Sequence, residues 1–262
     1  MATAATEPAA GTGPRLSRPA VWLALLFALS ALGLLAIGPI GWRVGRWHYE
    51  FAFRSLMPWA FYCGVVGAGL GLVTIAFGHS GLARRHFTIG LAAIVIGAVT
   101  AAVPWHYKQM LNKYPLINDI TTDWTNPPQF AAAVPLRAAA HGNSVVYGGA
   151  AVAALQRKAY PDIAPLIAAQ PPPQAFATAL ATAGKMGWTI IASDPKSGHI
   201  EATDRSRWFR FADDIVIRVE PQGGGSRIDV RSSARHGRGD FGVNAARIRA
   251  YLAALHRAGL GG

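Results

Sequence analysis

Along the chain, polar and apolar positions fall into two unlike regimes. Three stretches contain no Asp, Glu, Lys or Arg: between Arg18 and Arg43, between Arg54 and Arg84, and between Arg85 and Lys108. Each exceeds the roughly 20 residues that a helix needs to cross a bilayer core. Helices are the form expected there, because lipid leaves open backbone groups unsatisfied. Trp22, Trp42, Trp59 and Trp105 fall near the ends of these runs, where indole rings favour the headgroup layer. The first run continues to Trp42, past the length of a signal-peptide core, and reads as a retained anchor. The expected organisation is a disordered tail over 1–18 and a three-helix transmembrane region over 19–107. Small residues recur every four positions (Ala60, Gly64, Ala68; Ala93, Gly97, Ala101), a spacing that lets helices approach closely. It serves packing of the three helices on one another or, in the sharper reading, a homo-oligomer face.

After Lys108 the pattern changes. Residues 108–172 are rich in Pro and Ala yet keep Leu116, Ile117, Phe130, Leu136, Ile163 and Leu166. A flexible linker is more polar, so this segment reads as ordered coil packed on the next domain, with one short helix around Ala150 to Lys158. Residues 173–257 then read as helix, four antiparallel strands, helix. Gln174 to Met186 places Phe176, Leu180 and Ala183 on one face. Trp188 to Ser193 and His199 to Thr203 form one hairpin, and Asp214 to Glu220 and Arg227 to Ser233 a second. In the second, pairing Val219 with Ile228 and Ile217 with Val230 puts apolar side chains on one face. Arg218 then meets Asp229, and Glu220 meets Arg227, on a face read as solvated. The closing helix, about Phe241 to His256, carries Phe241, Ala245, Ile248, Leu252 and Leu255 as its stripe, with Asp240 capping its start. The fold class is α+β: three transmembrane helices, then a small four-stranded antiparallel sheet with two helices on one face.

Several strings carry a resemblance: Gly187-Trp188, His199-Ile200-Glu201-Ala202-Thr203, Trp208 through Val219, Ser226 through Ser233, and Gly237 through Arg249. Together they resemble domain of unknown function 1499, a bacterial and plastid family, over about residues 113 to 257. Asn118 through Asp123 and Tyr160-Pro161-Asp162 resemble its upstream part. The resemblance implies an envelope location and no established activity, so no catalytic residue is carried over. The element order is also similar to the helix-grip domains of an outer-membrane assembly lipoprotein, a likeness of fold alone.

The net charge of +12 divides into +5 on the first 104 residues and +7 on the rest. No polybasic run occurs, so nucleic acid is not an expected partner, whereas anionic lipid headgroups suit the balance. One cysteine excludes an intrachain disulfide. Basic residues on the two sides of the membrane number four against five, which leaves orientation to the family resemblance: N-terminus in the cytoplasm, soluble part periplasmic, in a bacterial inner membrane.

Chemistry concentrates in two connections. Arg207, Trp208, Phe209, Asp213 and Asp214 lie between the hairpins; Arg231, Arg235, Arg238 and Asp240 follow or end the last strand. Together they read as a recognition patch, arginine forks for an anionic group beside apolar anchors, or as an internal salt-bridge network. His199, Glu201 and Asp204 lack a second histidine and assign no metal; no cofactor motif is present. The function expected is a binding module for a protein or lipid partner in the envelope. The alternative is an enzyme of uncharacterised activity, a hydrolase or other, using the Arg/Asp cluster.

Overall fold

The computed structural model describes residues 18–77 and 84–261, and the tail expected over 1–18 lies outside them save Arg18. The chain forms two compact units, residues 1–108 and 109–262.

The first unit holds three helices long and apolar enough to cross a membrane. They are α1 (Arg18–Arg43), a continuous helical stretch from α2 (Tyr49–Phe51) through a π-helical turn (Ala52–Leu56) into α3 (Met57–Phe77), and α4 (Arg84–Lys113). The second span therefore starts before the uncharged run and takes Glu50 and Arg54 into its first turns. The small residues face other helices of the same chain. A methyl group added at Gly67 would lie 2.7 Å from the Ala28 nitrogen, one at Gly64 2.7 Å from the Gly97 carbonyl oxygen, and one at Gly71 2.7 Å from that of Gly90. These glycines let the backbones touch, which is where lipid-phase packing energy comes from.

The second unit is an antiparallel sheet of six strands, not four. The strands are β1 (Asp119–Thr121), β2 (Leu166–Ala168), β3 (Thr189–Asp194), β4 (His199–Arg205), β5 (Ala212–Gln222) and β6 (Gly225–Ala234). The order is β1-β6-β5-β4-β3, and β2 pairs β6 beside β1. The two extra strands come from the Pro/Ala-rich segment and have three residues each, too short for any periodicity to show. The same segment forms α5 (Ala133–Ala139) and α6 (Gly149–Ala159).

The register of the second hairpin is the one read from the sequence: Val219 faces Ile228, Ile217 faces Val230, Arg218 faces Asp229 and Glu220 faces Arg227. One sheet face carries Ile200, Ala202, Ile215, Ile217, Val219, Ile228 and Val230, all buried. Against it lie α7 (Pro172–Lys185) and α8 (Val243–Arg257), the two helices expected. They contribute Ala175, Phe176, Ala179 and Ala183, and Ala245, Ile248, Tyr251 and Leu255. The Tyr251 hydroxyl donates to the Ala179 carbonyl at 2.8 Å, so the one polar atom it brings between the helices is satisfied. In β3 the pairing shifts between Ile190 and Ala192. Ile190 packs on the helix side and Ile191 on the other, as the two-residue period of a strand requires.

The second face departs from expectation. It was read as solvated, but Glu201, Asp214, Asp229 and Arg231 on it are completely buried. Residues from Asp123 to Val145, with α5 among them, make the contacts that cover it.

Candidate functional site

The covered face explains itself by backbone accounting. A Pro-rich irregular segment has carbonyls and N–H groups that no ladder satisfies, and buried ones need partners. The sheet supplies them as charges. Glu201 accepts the N–H groups of Ala131, Ala132 and Ala133 at 2.7, 2.8 and 2.9 Å, at the start of α5. His199 Nε2 lies 2.8 Å from the same carboxylate. Burial pushes the Glu201 carboxyl up, but His199 and the three N–H groups outweigh it and hold it below the ordinary glutamate range. Arg231 donates to the carbonyls of Pro128 at 3.1 Å and Val145 at 2.7 Å, while pairing with Asp119 through two bonds of 2.9 and 2.8 Å. Its guanidinium carbon lies 4.8 Å from the centre of the Phe130 ring, and that of Arg137 lies 5.1 Å from it.

Asp214 sits where these threads meet. Arg137 donates to it at 2.8 Å, Arg235 at 2.7 Å and the Thr203 hydroxyl at 2.9 Å. Arg137 also donates to the Ser233 carbonyl at 2.7 Å. Further along, Asp229 is held by Arg218, Arg227 and Thr122. Both arginines also reach Asp123, whose other oxygen accepts the N–H groups of Thr125 and Asn126.

A separate cluster lies by the start of α8. Arg247 donates to Asp213 at 2.7 Å and to Asp204 at 3.1 Å, and its Nη1 reaches Ser232 and Asn244. Asp240 accepts the N–H groups of Gly242 and Asn244, which is the capping role read for it. Burial pushes the carboxyls of Asp213 and Asp240 upward, against the pull of Arg247 on the first and of those N–H groups on the second. Asp204 is thus engaged with Arg247, not with the His199–Glu201 pair. No group of three metal-binding side chains occurs among the described residues.

The nine residues singled out from the sequence therefore divide. Asp213, Asp214, Arg231 and Arg235 are buried in ion pairs, and Asp240 is tied to the α8 start. Arg207, Trp208 and Arg238 are exposed and Phe209 is half-buried. Sequence reasoning missed Arg137, Asp119, Glu201 and Arg247 as members of these clusters. For Arg137 a signal existed: it is the single formally charged residue between Asp123 and Arg157, and a lone guanidinium in an apolar segment needs a carboxylate. Arg247 lies at the end of the sheet where Asp204 and Asp213 converge.

The exposed members lie on the β4–β5 connection, a tight loop closed on itself. The Ser206 N–H donates to the Phe211 carbonyl at 2.9 Å, the Phe211 N–H to the Ser206 hydroxyl at 2.9 Å, and the Arg210 N–H to the Ser206 carbonyl at 3.1 Å. Arg210 closes it with φ of 59°, a left-handed conformation unusual for a residue with a Cβ. The Phe209 and Phe211 rings stack at 5.0 Å, and Phe211 lies 6.5 Å from the His236 ring of the following connection. The loop thus presents Trp208, 65 % exposed, among the exposed side chains of Arg205, Arg207 and Arg210.

No curated protein matches the chain closely enough to count as a relative. A family model described as a protein of unknown function (DUF1499) matches residues 119–255, from β1 into α8, which takes in both buried charge clusters and the exposed loop. That stretch is just over half of the chain, and the protein belongs to the DUF1499 family.

Proposed function

We propose that the protein is a membrane-anchored binding module of the bacterial cell envelope, which docks a negatively charged protein or lipid surface through the Ser206–Phe211 loop. The observation that carries this reading is Trp208, held two-thirds exposed on a self-closed loop between arginines. Trp and Arg dominate binding hot spots, and a loop already ordered loses little entropy on docking. Binding is favoured over the enzyme reading by the state of the carboxylates. Asp213, Asp214 and Glu201 are occupied by guanidinium and backbone donors and take structural roles. The soluble unit is proposed to lie on the periplasmic side of the inner membrane, with the N-terminus in the cytoplasm. A reporter active only in the periplasm, fused after Leu260, is expected to be active; activity of a cytoplasmic reporter there instead reverses the topology.

The test is Arg207→Ala combined with Trp208→Ala in the full chain. Melting is expected to stay within about 0.5 kcal/mol of wild type, as for exposed positions generally. Capture of partner from gently solubilised membranes is expected to be lost. Arg235 is unsuitable for this test, because its removal strips a partner from buried Asp214. Capture that survives the double change sinks the proposal.

A further inference from the structure

At one end of the membrane unit, a groove of about 260 Å³ opens between the second and third spans. Phe53, Met57, Phe61, Tyr62, Pro104 and Trp105 line it. The π-helical turn Ala52–Leu56 contributes Phe53, whose ring stacks on Tyr107 at 5.0 Å. Such turns recur where a helix is re-aimed for a functional purpose. The lining is aromatic and thioether, with bulk and adaptability suited to an alkyl chain.

The two walls run antiparallel, since Gly64 meets Gly97 and Gly71 meets Gly90. Going outward from the groove, Arg54 comes four residues before Pro58 and Lys108 four residues after Pro104. On the third span, residues four apart share a face, so Lys108 stands over Pro104; on the second, Arg54 adjoins groove-lining Phe53 within the π-helical turn. Each wall therefore carries a cation toward the same, outer end of the groove, and Lys108 itself lines it. Both side chains are exposed. Glu50 is the carboxylate nearest Arg54 in sequence, and it forms no ion pair with either cation among the described residues. Long basic side chains at span ends reach for the headgroup layer.

We propose that this groove is a lipid site: it holds an acyl chain of an anionic glycerophospholipid whose phosphate lies between Arg54 and Lys108. The apolar floor selects a chain over a soluble ligand, and the paired cations select an anionic headgroup over a zwitterionic one.

The test uses the full chain purified in detergent. Phosphatidylglycerol and phosphatidylcholine with identical chains are added in turn, and retained lipid is read by native mass spectrometry. Retention of phosphatidylglycerol is expected to exceed that of phosphatidylcholine by roughly tenfold. Arg54→Gln with Lys108→Gln is expected to remove that preference while the melting temperature stays put, since both side chains are exposed. Free glycerol phosphate at millimolar concentration is expected not to displace the lipid. Equal retention of the two lipids overturns the proposal, as does a preference that survives the double change. Displacement by glycerol phosphate overturns it as well, because the acyl chain would then contribute nothing.

Discussion

Arg218 and Asp229 face each other across β5 and β6, with Nη2 2.9 Å from Oδ2, and Asp123 from the covering segment accepts from the same Nη2 at 3.1 Å. Asp229 is completely buried. An alternating strand pair exposed on one face would leave this bridge worth a few tenths of a kcal/mol, as surface pairs are. Buried, the same pair obeys different arithmetic. Arg218→Ala leaves Asp229 with Arg227 and Thr122, and is expected to cost about 1.5–3 kcal/mol, the loss of one charge-assisted bond. Asp229→Ala leaves Asp123 as the one acceptor that both arginines share and strips the buried Thr122 hydroxyl of its acceptor, and is expected to cost more, about 3 kcal/mol. Chemical melts of the two variants check the order; a face open to solvent would leave both costs at a few tenths of a kcal/mol.

Asp214 makes the stronger case. It joins Arg137 from the covering segment to Arg235 from the end of β6, so it fastens the irregular chain to the sheet. Asp214→Ala is expected to destabilise by about 3–5 kcal/mol and to expose the segment around α5 to proteolysis before the sheet itself opens. Limited proteolysis with mass mapping checks both statements.

How much of this was legible in the sequence follows from where periodicity operates. The hairpin register could be read because Ile217, Val219, Ile228 and Val230 alternate over enough residues to exclude a one-residue slip. Helical spacing made the α7 stripe legible, and in α8 Ala245, Ile248, Leu252 and Leu255; Phe241 instead precedes the helix, and buried Tyr251 lay outside the stripe read. β1 and β2 were not, since three-residue strands have no pattern, and Pro-flanked segments suggest coil. The greater loss concerned Glu201, Asp229 and Arg231. Alternation marks two faces and does not say what covers the polar one. The covering segment has few charges of its own, and only pairing at long sequence separation, such as Asp119 with Arg231, reveals its place. At the candidate site, exposure divided residues that the sequence lists side by side: Asp213 and Asp214 turn into the fold, whereas Arg207 and Trp208 stand on the loop.

In the membrane unit, Gly97 tests the packing of the second and third spans. A Cβ there would lie 2.5 Å from the Gly64 carbonyl oxygen and 2.8 Å from the Ala68 nitrogen, both backbone atoms that cannot swing aside. Gly97→Val is expected to force the helices apart, lowering the thermal stability of the detergent-purified protein. Gly69→Ala meets nothing within 4 Å and is expected to be neutral. Equal behaviour of the two variants in a melt would show that close approach at Gly97 does not hold these helices together.

Glu201 offers a test by pH. Its folded-state carboxyl lies below the ordinary range, so it contributes stability that is fully present above the unfolded value, near pH 4.3, and lost as pH falls through the folded one. Asp213 and Asp240 work in the opposite sense: burial raises their carboxyls, so protonating them relieves a cost as pH falls toward about 3.9. The Glu201 contribution is isolated by comparison with Glu201→Gln. Glutamine keeps the size but presents one acceptor oxygen where the Ala131, Ala132 and Ala133 N–H groups need two, and turns an amide N–H toward a donor. The variant is expected to be about 1–3 kcal/mol less stable at pH 7. That gap should narrow as pH falls below the unfolded value, about 4.3, and on through the lower folded one, where the wild-type carboxylate protonates and loses the same acceptor. Denaturant melts of both proteins between pH 7 and pH 3 measure the gap directly. A difference that stays constant across the range would mean that shape, and not the charge of Glu201, anchors the start of α5.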